Sequence, residues 1–192
     1  MNSKIRKRAD IMEFLNVYKD GEAYRELVFD LYEKAFPAEE KKPRAMMEAL
    51  CEAGKMEILA LAEDGEFVGL AVDIFSKDAA ILDYFAIVPE KRGGGCGSRA
   101  VQKLVERRAG TKYIFEIERP DDTAENAVER ARRKAFYLRN GLKETGLYAR
   151  VYGTNFELLT PDGALTFQEY TDTLRAVIGE EGLRVLNPKQ ED

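Results

Sequence analysis

The period of the apolar positions changes repeatedly along the chain, and each change marks an element. The first run, IMEFLNVYKD, reads as a strand. EAYRELVFDLYEKAF follows with Tyr24, Leu27, Val28, Leu31 and Ala35 at helical spacing, and Pro37 stops it. KKPRAMMEALCEAG predicts a second helix, with Pro43 near its start and Gly54 past its end. In KMEILALAEDGEFVGLAVDIFS two apolar strands flank Asp64-Gly65, a pair suited to a tight primed turn.

The stretch from Ile81 to Arg108 reads as strand, proline, basic pair, glycine-rich loop and amphipathic helix, the helix opening near Ser98. TKYIFEIE is another strand. PDDTAENAVERARRKAFYLRNG predicts a helix over Asp122–Asn140, with Asp122 and Glu125 as a capping box and Gly141 closing it. Ala127, Ala131, Ala135 and Leu138 form its apolar stripe, and Tyr137 lies more than ~100° away at ~100° per residue. GLYARVYG and TNFELLT read as a strand pair. After the Pro161-Asp162-Gly163 turn, Thr166 and Glu169 form a second capping box that opens TFQEYTDTLRAVIG, and the tail beyond Leu186 is expected to fray.

The resulting order, β-α-α-β-β-β-α-β-α-β-β-α, places the chain in the α/β (α+β) class. It predicts a mixed, mostly antiparallel central sheet flanked by helices rather than a pure parallel array. The length of 192 residues suits one domain over 1–192, with a core over about 11–153 and a C-terminal strand–helix extension over about 154–186.

Composition then narrows the chemistry. Apolar residues make up 45% and charged residues 34%, ordinary for a globular protein. No apolar run is long enough for a membrane span, and Glu13 and Asn16 interrupt the run that a signal peptide would need, so a cytoplasmic protein with no membrane partner is expected. Two cysteines, Cys51 and Cys96, cannot build a disulfide framework or a zinc cluster. The chain has no histidine, which removes imidazole metal sites, Ser-His-Asp triads and Cys-His dyads. Any proton transfer falls to carboxylates, Tyr, Lys, Cys or water, and no metal is expected. The net charge of −5 argues against nucleic acid as the main partner, and the basic run Lys4–Arg8 reads as a solvated tail.

RGGGCGS carries the most specific signal. Its glycines let the backbone approach a guest closely, and the following helix N-terminus adds partial positive charge, so the guest is a phosphate or pyrophosphate. A P-loop would need Lys-Ser/Thr after the last glycine, and GSRA lacks it. The dinucleotide fingerprint is nearly met by Gly93, Gly95 and Ser98, with Glu116 where a ribose-binding acid would stand. Pro89 and EKR, however, separate strand from glycines, and a hairpin precedes the unit. Arg92-Gly93-Gly94-Gly95-Cys96-Gly97 matches Arg/Gln-x-x-Gly-x-Gly/Ala, and in this it resembles the acyl-CoA pyrophosphate loop of the GNAT superfamily of N-acetyltransferases. FAIVPEKRGGGCGS resembles that superfamily's strand–Pro–loop–helix segment. RRKAFYLRNGLKETG resembles its second signature, and YEKAFPAEEKKP the first-helix region of a bacterial branch; together they span roughly Tyr24 to Tyr152.

The resemblance implies attack of an amine on the thioester of acetyl-CoA, with a thiolate leaving. It assigns the pyrophosphate to the backbone amides of Gly93, Gly94, Gly95, Cys96, Gly97 and Ser98, with Arg92 as a nearby charge. It implies that the strand before the loop bulges and splays, that Phe85, Ala86 and Ile87 pair with the pantetheine arm, and that the Ile87 amide meets the thioester oxygen. Tyr137 occupies the family's general-acid position, four residues before Gly141. For the base, Glu118 and Asp83 rank ahead of Glu116. Cys96 at a helix N-terminus carries the option of a lowered thiol pKa, but direct transfer needs no nucleophile and it is read as a small loop residue. The carboxylates of EIERPDDTAE, namely Glu116, Glu118, Asp121, Asp122 and Glu125, favour a cationic amine acceptor, a small molecule or a peptide end. The protein is expected to act as a monomer or homodimer. The alternatives are an acyl-CoA-binding module without chemistry and an NAD or nucleotide enzyme using the same loop.

Overall fold

A computed structural model describes residues 12–151 and 153–192; the basic run Lys4–Arg8 lies outside them. The elements in chain order are β1 (Met12–Asn16), α1 (Arg25–Ala35), α2 (Arg44–Glu52), β2 (Met56–Glu63), β3 (Glu66–Phe75), β4 (Ala79–Ile87) and α3 (Cys96–Arg107). They continue as β5 (Lys112–Glu118), α4 (Ala127–Arg139), β6 (Lys143–Val151), β7 (Thr154–Thr160), α5 (Phe167–Leu186) and β8 (Lys189–Glu191). The strands form one sheet in the order β1-β2-β3-β4-β5-β7-β6-β8. Within it β4 and β5 run parallel and the other described pairs antiparallel.

The sheet is open and covered on both faces, so two cores form. On one face α1, α2 and α5 bring Val28, Tyr32, Met47, Tyr170 and Leu174 onto Ile58, Leu70, Ile81 and Tyr84. On the other, α3 and α4 bring Ala100, Val101, Leu104 and Tyr137 onto Leu59, Ala71, Leu82 and Phe115. Burial on both faces explains why β2, β3 and β4 read as near-continuous apolar runs instead of alternating ones. The hairpin between β2 and β3 turns at Asp64 (φ 52°) and Gly65 (φ 80°), the paired left-handed conformations of a type I′ turn.

Three local expectations fail for physical reasons. The box at Asp122 and Glu125 does not form: α4 starts at Ala127, because Asp121 accepts hydrogen bonds from the Thr123 amide (2.8 Å) and hydroxyl (2.6 Å) and closes a turn first. The apolar stripe of α4 is misassigned as well. Ala131 and Leu138 face solvent, while Arg130 and Lys134 turn inward to Glu118 (2.8 Å) and Glu157 (2.9 Å), on the side where Tyr137 is buried. Ion pairs, not alanines, build that face. The tail beyond Leu186, expected to fray, forms the edge strand β8 against β6. The segment expected as a strand–helix extension supplies β7, which lies between β5 and β6, and α5, whose capping box at Thr166 and Glu169 forms as expected.

Candidate active site

The site is a fork between β4 and β5. Their pairing covers Ala79–Leu82 against Lys112–Phe115 and stops there. At the same level Val72 and Asp73 of β3 pair with Tyr84 and Leu82, so Asp83 is the extra residue of a β-bulge. The bulge breaks the alternation: Ile81 and Tyr84 serve one core, Leu82 and Phe85 the other, and Asp83 is turned to the same face as Tyr84. Beyond the bulge β4 continues to Ile87 with β3 on one side and a slot on the other. Val88 donates its N–H to Val68 of β3. Backbone alternation therefore aims the N–H groups of Phe85 and Ile87 into the slot.

The loop after β4 closes the slot's upper end. Pro89 opens a 3-10 turn over Pro89–Lys91, and Arg92 folds back so that its Nε donates to the Ile87 carbonyl at 2.9 Å. Gly93 (φ 81°) and Gly95 (φ 79°) sit in the left-handed region that favours glycine, and around Gly93 and Gly94 a side chain would meet nothing within 4 Å. The chain then enters α3 at Cys96, with the first-turn N–H groups of Cys96, Gly97 and Ser98 lacking intrahelical acceptors. An open glycine cradle beside a helix N-terminus fits a pyrophosphate, and the bare edge of β4 fits an extended amide-bearing arm.

Two signature aromatics frame the slot on the α3/α4 face. A methyl at Gly97 would stand 3.4 Å from the Phe136 ring, so glycine there lets α3 approach α4. Tyr137 packs edge-on against Phe115 (5.4 Å between centroids), the last β5 residue paired with β4. Burial pushes its phenol up to about 12, with Arg133 pulling the other way. Among the described residues its hydroxyl has no hydrogen-bond partner.

The carboxylates divide sharply. Glu118 is engaged by Arg130 (2.8 Å) and Arg133 (3.1 Å), and Asn126 donates to it at 3.3 Å. Past it, the end of β5 opens on a cavity of about 470 Å³ where Glu118 and Asp121 alternate with Arg119 and Arg130. The acid-rich segment is thus interleaved with arginines. Asp83 is paired with Lys42, whose Nζ lies 2.8 Å from both carboxylate oxygens. Glu116 stands just beyond the last β4–β5 pair, on the α1/α2/α5 side, and accepts a hydrogen bond from the Tyr170 hydroxyl. Burial pushes its carboxyl up to about 7, with the Asp83 charge adding to the rise and Tyr170 and Lys42 opposing it. The fork therefore brings Asp83 and Glu116 together on one face and holds Tyr137 on the other. Lys42 and Tyr170 are additions to the sequence-derived set; they come from the segment before α2 and from α5, and no local pattern links them to β5.

Cys96 is 3% exposed, and burial raises its thiol pKa, against the lowering a helix N-terminus alone would give. It is a core residue that starts α3. No group of three or more acidic or cysteine side chains that could hold a metal occurs among the described residues, and none of their helices is long and apolar enough to cross a membrane.

Solved structures share this architecture. A GNAT-family protein from Bacteroides thetaiotaomicron superposes with a TM-score of 0.65 at 21% identity, covering 84% of this chain and 92% of its own. An aminoglycoside 6'-N-acetyltransferase complexed with coenzyme A gives 0.58 at 17%, covering 78% and 95%. The ribosomal-protein-S18-alanine N-acetyltransferase of Escherichia coli gives 0.55 at 16%, covering 82% and 96%. At these identities the likeness speaks for the fold. No curated protein matches the sequence. The sequence model of the Acetyltransferase (GNAT) family matches residues 25–142, from the start of α1 through the aromatic pair of α4 and well over half of the chain. The forked sheet, glycine cradle and α4 signature lie within that match, and the chain belongs to the GNAT family of acetyltransferases.

Proposed function

We propose that the protein transfers the acetyl group of acetyl-CoA directly to a primary amine, with Glu116 as the base and Tyr137 as the acid. The observation that carries this reading is the fork, which sets the two groups on opposite faces of one slot whose lip is lined by the Phe85 and Ile87 amides. The amides from Gly93 to Ser98 hold the pyrophosphate, with Arg92 holding the loop against Ile87. Phe85 to Ile87 takes the pantetheine arm as an added strand, and the Ile87 amide meets the thioester oxygen.

The acceptor arrives as an ammonium and passes its proton to Glu116, whose carboxyl near 7 is matched to work at neutral pH. The nitrogen then attacks the thioester carbon to give a tetrahedral oxyanion. As it collapses the C–S bond breaks and the departing sulfur takes the Tyr137 proton. The surplus proton on the acylated nitrogen restores the phenol, and Glu116 gives its own proton to water. With its phenol held up at about 12, Tyr137 stays protonated until that moment. Asp83 and Glu118 recede from the base role because each is already held by a cation. Arg130 and Arg133 neutralise Glu118, and Lys42 pairs with Asp83, so Glu116 is the slot carboxylate left to receive the acceptor, and it asks only for an amine.

Thiol release from acetyl-CoA across a panel of primary amines tests the reading. Release with at least one amine, lost in Glu116→Gln, is the expected result. Tight acetyl-CoA binding with no thiol release from any amine would leave a binding module instead, and preferential binding of NAD would restore the nucleotide alternative.

A further inference from the structure

Lys42 is used by nothing in the transfer scheme, yet both its backbone and its ammonium are anchored beside the slot. Its backbone N–H donates to the hydroxyls of Tyr32 (2.8 Å) and Tyr84 (3.2 Å), and its carbonyl accepts from Tyr32 at 3.2 Å. Two residues earlier the Glu40 carbonyl accepts from Tyr84 at 2.6 Å. The segment before α2 is thereby fastened to α1 and to the open half of β4. From it the ammonium reaches both Asp83 oxygens at 2.8 Å and lies 5.0 Å above the Tyr84 ring.

Resting on the reading of Glu116 as base, we propose that Lys42 is a positioning residue of the transfer site: its ammonium, seated on Asp83 at the β4 bulge, offsets the charge of the slot's second carboxylate, so that Glu116 can give up its proton and take one from the acceptor. The groups facing Glu116 are Asp83 from β4, Lys42 from the segment before α2 and Tyr170 from α5, while β7 places the apolar Leu158 opposite it. Two carboxylates thus face one ammonium. Without that ammonium, the uncompensated Asp83 charge further disfavours the ionised form of Glu116, and Glu116 holds its proton to higher pH. Lys42 is not itself an acceptor in this arrangement. Burial pulls its ammonium toward the neutral form, but the Asp83 carboxylate outweighs burial and holds it protonated, with no lone pair for attack.

The experiment is a carboxyl-carbon NMR titration of the full chain without acceptor, the Glu116 signal being identified by its loss in Glu116→Gln. In Lys42→Met the Glu116 midpoint is expected to rise by about one to two pH units. In Lys42→Arg, which keeps the charge, it is expected to stay at the wild-type position. Lys42→Gln keeps a donor for Asp83 without the charge and gives the same rise should the Met variant fail to fold. The acid limb of kcat/KM should move with the midpoint. An unmoved midpoint in both neutral variants overturns the inference, as does an acetyl group found on Lys42 by mass spectrometry after incubation with acetyl-CoA. Undiminished turnover in Glu116→Gln would overturn the base assignment, and with it the catalytic meaning of Lys42; the titration shift, read without turnover, tells that failure from an electrostatic one.

Discussion

The closed and open halves of the β4–β5 pair are made by the same two strands, and each half has a carboxylate beside it, fully buried by the closed half and part-buried by the open one. Beside the closed half, Asp73 of β3 accepts hydrogen bonds from the Tyr113 hydroxyl (2.6 Å) and Arg108 Nε (2.9 Å), and Arg108 is also bound by Glu57. Burial still lifts Asp73 to about 6, but a full cation and a phenol compensate it. Beside the open half, Glu116 has the Tyr170 hydroxyl as its hydrogen-bond donor, and the ammonium of Lys42 is spent on Asp83. A carboxylate tied to its own cation holds structure together. One left short of compensation at an open edge remains available to a proton from outside.

Glu116→Gln and Asp73→Ala turn that difference into a double dissociation. The first should lower kcat/KM by about 10²–10⁴ while leaving the melting temperature equal or higher, since it removes a desolvated charge with little compensation. The second should lower the unfolding free energy by about 3–5 kcal/mol, because it leaves the buried Tyr113 hydroxyl without its acceptor and takes from Arg108 one of its two carboxylate partners. Turnover per folded molecule should hold. Urea unfolding and steady-state kinetics on both variants separate the roles, and equal effects of both on stability would collapse the comparison.

The same contrast explains what was legible in the sequence. The closed half is local and apolar, so its strands were readable, as was the Asp64-Gly65 turn, which depends on two neighbouring residues. The motif at Thr166 forms because nothing competes with it, whereas the similar motif at Asp122 loses to the Asp121–Thr123 turn. The open half is set by convergence. Asp83 announced itself as the lone charge in an apolar strand, but neither the bulge nor Lys42 follows from any periodicity. Glu116 and Glu118 look alike in alternation; they differ because Tyr170 comes to one and Arg130 and Arg133 to the other. The helical stripe misplaced Tyr137, which is buried, because α4 turns charged residues inward and packs the phenol on that same side.

Across the slot, Tyr137→Phe should cost about a hundredfold in kcat with acetyl-CoA affinity unchanged, if the phenol acts only when the sulfur departs. The pH profile gives the sign independently. A base must be empty to act, so kcat/KM should rise with pH and level off above about 7 as Glu116 loses its proton. The acid must be full, and a phenol near 12 places the alkaline fall beyond the range in which the fold is assayed. An activity that falls as pH rises through neutrality would put both groups in the wrong roles.

The smallest change probes the slot's shape alone. Gly69 of β3 lies opposite Ile87, and a methyl there would sit 2.4 Å from the Ala86 carbonyl oxygen and 3.2 Å from the Ile87 Cα. These are backbone atoms of the open half of β4, so relief requires that half to move toward the slot. Gly69→Ala is therefore expected to cost about 1–3 kcal/mol of stability and to weaken acetyl-CoA binding in calorimetry, while the Glu116 titration and the closed half keep their wild-type behaviour. A variant that loses stability yet binds acetyl-CoA as tightly as before would mean that the position of Phe85 to Ile87 does not set the lip of the site.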